Sequence, residues 1–178
     1  MVSEPLLHQM KILVVDDDRL SVTLLEQLLQ RHGYRHVLGV TDSRVAVETC
    51  ISFDPDLLLL DLIMPEVDGF AVLDAIRSDA AEDFLPIVVL TGDTHEESRA
   101  RALEAGATDF LVKPVSQTEA LLRIRNLLEM RRLYVALENQ RLALEDAVRD
   151  RTAELHETIA ELQTANAWLQ AESDLSKG

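Results

Sequence analysis

Apolar residues in this chain fall into short unbroken runs, separated by longer stretches in which they recur every three or four positions. The runs lie near 11–15, 36–40, 57–60, 86–90 and 108–112, and each predicts a strand. The stretches near 19–32, 43–53, 68–77 and 94–105, and the chain from 117 onward, predict helices. A run such as Leu57-Leu58-Leu59-Leu60 has no polar side, so it predicts burial on both faces of a sheet. Breakers punctuate the pattern at Gly33, Asp54-Pro55, Asp68-Gly69, Pro86 and Gly106. Five strand–helix units in succession predict an α/β fold. The sheet is expected to be five-stranded, parallel and doubly wound, of flavodoxin-like type with order 2-1-3-4-5.

The fifth helix has no stop signal. Ser116 with Glu119 three residues later predicts a capping box, with Val115 as a hydrophobic staple. From there to about Ala171 neither proline nor glycine intervenes. Every seventh residue from Leu127 gives Leu127, Tyr134, Arg141, Val148, Leu155, Leu162 and Leu169, with Met130, Leu137, Leu144, Arg151, Thr158 and Ala165 as the companion series. Ten of these thirteen positions are apolar, which predicts a left-handed coiled coil and hence a homodimer. A segment of over 40 residues, as the seam covers, would span roughly 60 Å, too long to fold back on one small domain. The organisation expected is an N-terminal extension over 1–9, a globular domain over 10–116 and an extended helix over 117–178. An output domain is expected to be absent from this chain.

Composition narrows the setting. The chain has 178 residues, 47% hydrophobic and 28% charged, as a protein with a real core requires. No apolar run reaches membrane-spanning length, and the first ten residues lack a secretory pattern. Cys50 is the single cysteine, so an internal disulfide is impossible and a cytoplasmic location is expected; its place in a helical stretch predicts a small buried apolar residue. The net charge is −15. Neither half carries a basic excess: 21 acids face 9 bases through Val115, and 11 face 8 beyond it. Direct nucleic-acid binding is therefore not expected. Arg123, Arg125, Arg131 and Arg132 read as a solvated helix face.

The candidate chemistry lies at the carboxyl ends of the predicted strands. Asp16 and Asp17 follow Ile12-Leu13-Val14-Val15, Asp61 follows the four leucines, and Lys113-Pro114 follows Phe110-Leu111-Val112. In an open parallel sheet those ends converge on the ligand crevice. Carboxylates crowded there repel one another, and a hard divalent cation such as Mg²⁺, which takes oxygen ligands, relieves the repulsion. A lysine aimed at the same point supplies the positive charge that a phosphoryl group needs. Asp18, third in the acidic run, is expected to cap the helix that follows.

With Asp68-Gly69, Met64-Pro65 and Thr91-Gly92 added, residues 10–116 closely resemble the receiver domain of two-component response regulators. The resemblance implies that Asp61 is the phosphoacceptor and that Asp16, Asp17, Asp61 and the backbone carbonyl of Ile63 bind Mg²⁺. It implies that Thr91 bonds a phosphoryl oxygen, that Lys113 pairs with it, and that Phe110 is a switch aromatic following Thr91. Gly92 would be small for phosphoryl access, and the Lys113-Pro114 peptide would be cis. Ile63 and Asp93 would flank the path of the water that removes the phosphoryl group. The implied partner is a sensor histidine kinase or phosphotransfer protein, and the implied role is that of a non-enzymatic regulator. Arg151-Thr152-Ala153-Glu154-Leu155 is similar to the helices that join receivers to output domains. The His156-Glu157 pair lacks the Arg-Thr-Pro of a kinase phosphodonor and reads as solvated. A haloacid-dehalogenase-type phosphatase is the rival, but Leu20 stands where it would need a threonine.

Overall fold

The computed structural model describes residues 4–79, 84–92 and 96–175. Five parallel strands, β1 (Lys11–Val15), β2 (His36–Val40), β3 (Leu57–Asp61), β4 (Ile87–Thr91) and β5 (Asp109–Val112), form one sheet in the order β2-β1-β3-β4-β5. The helices are α1 (Glu4–Leu7), α2 (Arg19–Arg31), α3 (Ala46–Phe53), α4 (Gly69–Asp79), α5 (Glu96–Glu104) and α6 (Gln117–Leu175). A 3₁₀ turn, Ser43–Val45, precedes α3. The sheet order matches the expected fold class, and the strand bounds shift by at most one residue.

Alternation along the three central strands divides the core. Ile12, Val14, Leu57, Leu59, Val88 and Leu90 face one layer, with residues of α2 and the start of α6. Leu13, Val15, Leu58, Leu60, Ile87 and Val89 face the other, with residues of α3, α4 and α5. Both faces are therefore dry, which is why no polar residue interrupts these runs. Cys50 lies buried in the second layer, where desolvation pushes its thiol up to about 11.

The chain divides into two compact units, Met1–Tyr134 and Val135–Gly178. This moves two of the expected boundaries. Leu7 is buried in the first core layer beside residues of α2 and α6, and Arg35 donates its amide to the His8 carbonyl at 3.1 Å. The segment before Met10 is thus partly built into the domain rather than appended to it. Ala120, Ile124, Leu127 and Leu128 of α6 belong to the same layer, so the first seam position, Leu127, is spent on the domain core.

The arginine cluster is only in part the solvated face expected: Arg125 is exposed, Arg123 and Arg132 are half-buried. Arg131 is only 6% exposed, donates Nη1 to the Phe84 carbonyl at 2.7 Å and lies 3.9 Å from Asp56. Tyr134 packs its ring against Phe84 at a centroid distance of 5.5 Å. Arg123 pairs with Asp109 and Glu119 at 2.6 and 2.8 Å. Because Glu119 is drawn to Arg123, only a long 3.5 Å contact from its amide to Ser116 Oγ remains of the capping box. In the second unit, Leu137, Leu144, Val148, Leu155, Leu162 and Leu169 are all exposed, as is His156.

Candidate functional site

The site forms where four strands end. Asp16 leaves β1 fully buried, its own amide donating to Val40 O at 3.1 Å. Asp61 closes β3 at 5% exposure, and Thr91 closes β4, also buried. Lys113 follows β5, donates its amide to Thr91 O at 2.8 Å and is joined to Pro114 by a cis peptide. Its ammonium reaches Asp61 Oδ2 at 2.8 Å and Asp16 Oδ2 at 2.7 Å. The contact to Asp61 is an aligned hydrogen bond. That to Asp16 is an ion pair by distance alone, so Asp16 Oδ2 is buried without an aligned donor. Asp17 stays exposed and completes a trio with Asp16 and Asp61 in which one oxygen from each lies within 4.8 Å of the others.

Local bonds fix these acids. Asp16 Oδ1 accepts the Asp18 amide at 3.0 Å, and Asp61 Oδ1 accepts the Ile63 amide at 3.2 Å. Asp18 caps α2 as expected, accepting from Leu20 N at 3.1 Å and Ser21 N at 3.2 Å. Burial raises the Asp16 pKa above the usual carboxylate range despite the opposing pull of Lys113. Burial alone would lower that of Lys113, but the two carboxylates close to its ammonium, Asp16 and Asp61, leave it raised.

The donor set fits a hard divalent cation. It offers three carboxylates, one of them with a buried oxygen short of a donor, and Mg²⁺ takes oxygen ligands, carboxylates among them. With the carboxylates ionised and Lys113 protonated, the charge left over is −2, which one such cation cancels.

Several further residues shape the crevice. Ile63 stands 71% exposed at its rim. Phe110 is half-buried against the second core layer, with the Arg99 guanidinium 4.8 Å and that of Arg123 5.8 Å from its ring centroid. Gly69 is forced by close approach, since a Cβ there would sit 2.2 Å from Asp61 O. At Gly92 a Cβ would meet nothing within 4 Å; packing does not require a glycine there. Asp93 lies outside the described residues. The sequence reading missed Ser43, which is buried and bonds the loop after Asp61; a lone serine at a helix start carries no signal of a contact some twenty residues away.

The sequence model of the response regulator receiver domain matches residues 12–125. The chain belongs to that family. It is the receiver domain of a response regulator in two-component signalling, carrying a long C-terminal helix. Similar solved structures include response regulators. A putative response regulator from Chloroflexus aurantiacus superposes with a TM-score of 0.63 at 30% identity, covering 68% of this chain and 98% of that one. The chemotaxis protein CheY4 of Vibrio cholerae gives 0.62 at 30% identity, covering 67% and 98%. Among curated relatives, response regulator MprA of Mycobacterium leprae is 39% identical over 141 residues, 79% of this chain and 60% of that protein. A probable cyclic di-GMP phosphodiesterase of Vibrio cholerae is 33% identical over 149 residues, 84% of this chain but 33% of its own. That similarity is longer than the family match and takes in part of α6. The receiver chain thus spans between a third and about 60% of these two relatives.

Proposed function

We propose that this receiver is a phosphorylation-controlled regulator in which Asp61 accepts a phosphoryl group from a phosphohistidine and a dimeric helix passes the signal on. The observation that carries the reading is the convergence of Asp16, Asp17, Asp61, Thr91 and Lys113 at four adjoining strand ends. Asp61 Oδ2, the oxygen held by Lys113, attacks phosphorus as the P–N bond to the donor imidazole breaks, giving an acyl phosphate. Lys113 then has a phosphoryl oxygen within reach in place of the carboxylate oxygen, and the Thr91 hydroxyl donates to a second. Asp16, Asp17, Asp61 and the Ile63 carbonyl would hold Mg²⁺, which when bound spreads the negative charge of the transferring group. Phe110, between Arg99 and Arg123, is the side chain that follows the repositioning of Thr91.

The donor protein has a natural approach. A cavity of about 380 Å³ runs from Asp16 and Lys113 along α2 to Val115, and Leu20 and Leu24 stand exposed on α2. A helix presenting a phosphohistidine would cover them. On the output side, the exposed stripe of the second unit supports a parallel homodimer, since buried seam leucines contribute roughly 25 cal/mol per Å². Among the described residues no helix is long and apolar enough to cross a membrane. The similarity to a much longer cyclic di-GMP phosphodiesterase suggests that an output of this type answers to the helix.

The test is mass measurement after incubation with acetyl phosphate and Mg²⁺. One phosphoryl group is expected on the parent chain and none on Asp61→Asn. Undiminished labelling of that variant would move the acceptor elsewhere.

A further inference from the structure

The loop between Asp61 and α4 carries the only part of the proposed metal site that is backbone, and it contains a strained turn. Val67 N–H approaches Pro65 O at 2.8 Å, closing three residues, and Glu66 at its centre has φ of +69°. A side-chain-bearing residue is disfavoured there, and such conformations persist only when their surroundings hold them. The hold comes from Ser43. Its hydroxyl donates to Pro65 O at 2.7 Å and accepts from Val67 N–H at 3.1 Å, so a single oxygen engages both polar groups of the turn. The serine is 5% exposed. It is set in place by the 3₁₀ turn that Asp42 starts, with Asp42 Oδ1 accepting the Arg44 amide at 3.0 Å and the Arg44 guanidinium closing on the same carboxylate.

The rest of the loop is pinned at its ends. Asp61 Oδ1 takes the Ile63 amide, and Gly69 N donates to Leu62 O at 3.1 Å. Ser43 supplies the middle fastening from a different loop, while being no part of the acidic trio.

We propose that Ser43 is a positioning residue for the metal site. By clamping the Pro65–Val67 turn it fixes the peptide of Ile63 beside Asp61, and so sets cation affinity without touching the cation. This rests on the Mg²⁺ reading given above. The strain at Glu66 makes the claim specific: glycine accepts positive φ freely, so with glycine at 66 the clamp should matter less.

The experiment is calorimetric Mg²⁺ titration of the full chain without a phosphoryl donor, paired with acetyl phosphate labelling across Mg²⁺ concentrations. Ser43→Ala should weaken Mg²⁺ binding about tenfold, the lower end of what supporting residues contribute to metal sites. The Mg²⁺ concentration for half-maximal labelling should rise by the same factor, with the maximal rate at saturation kept. Ser43→Thr retains the hydroxyl and should bind close to the parent. In a Glu66→Gly background the loss caused by Ser43→Ala should shrink several-fold. Parent-like binding by Ser43→Ala, an equal loss for Ser43→Thr, or an undiminished loss in the glycine background would each overturn the proposal. Asp17→Asn separates the two levels. If the parent fails to bind Mg²⁺, or binds no better than Asp17→Asn, the metal reading falls and Ser43 with it. If Asp17→Asn is weakened and Ser43→Ala is not, only the role of Ser43 falls.

Discussion

Lys113 Nζ and Asp61 Oδ2, 2.8 Å apart, join the ends of β5 and β3 across the intervening β4. Lys113 and its buried neighbour Asp16 make the stability of this domain fall with rising pH in two separate windows.

Asp16 is the first. Its folded pKa is raised, chiefly by burial, so between the ordinary carboxylate range and that raised value the folded state binds more protons than the unfolded one. Stability then falls as pH rises through the window. Asp16→Asn is therefore expected to melt a few degrees above the parent at pH 7 without Mg²⁺, with the gap closing toward pH 4. Differential scanning calorimetry at both pH values decides it, and a lower melting temperature at pH 7 would refute the assignment.

Lys113 gives the opposite end of the scale. Its folded pKa is raised, so its stabilisation is complete below the ordinary lysine value and is lost as pH climbs through the folded one. Alkaline unfolding followed by circular dichroism should lose this component in Lys113→Gln, which leaves two carboxylates facing each other.

Arg131 should matter for folding although it sits far along the sequence from its partners. Arg131→Ala removes the donor to the Phe84 carbonyl and should cost about 1–3 kcal/mol, the range for a buried group left without its partner. Calorimetric unfolding measures this. A neutral outcome would return Arg131 to the solvated face first expected.

The second unit yields a separable result. Leu155→Glu with Leu162→Glu should convert a dimer into a monomer in sedimentation equilibrium while leaving labelling of Asp61 by acetyl phosphate unchanged. A full-strength dimer in that variant would place the interface elsewhere.

Ile63 concerns lifetime. An exposed apolar side chain two residues after the proposed acceptor cannot orient water, so Ile63→Asn should speed phosphate release. A fall of about 1.4 kcal/mol in the barrier corresponds to tenfold. Equal or slower release would remove side chain 63 from the control of hydrolysis.

What could be read from the sequence was whatever repeats or clusters locally. The leucine run of β3 and the acids following β1 announce themselves because burial on two faces forbids polar interruption and strand ends collect charge. Asp18 was legible for the same reason, its partners being two and three residues away. Leu7, Ser43 and Arg131 were not. Each acts through contacts 20 or more residues distant that leave no periodic trace. Arg131 in particular looks on paper like any other helical arginine. The division of α6 at Tyr134 was hidden too, since one heptad pattern runs across it while Leu127 is buried in the domain and Leu137 is exposed.

The two glycines beside the acidic trio answer to different masters. At position 69 backbone atoms leave no space, so a mutant there fails as a folded protein and is cleared by degradation. Position 92 is open, so a bulkier residue there would come at no cost to the core. On the proposed reading, in which phosphoryl access needs a small residue at 92, a lineage could lose the signalling chemistry there in one step while keeping a stable body. Descendants of that kind would persist as silent scaffolds, recognisable by an intact Gly69 and a filled position 92.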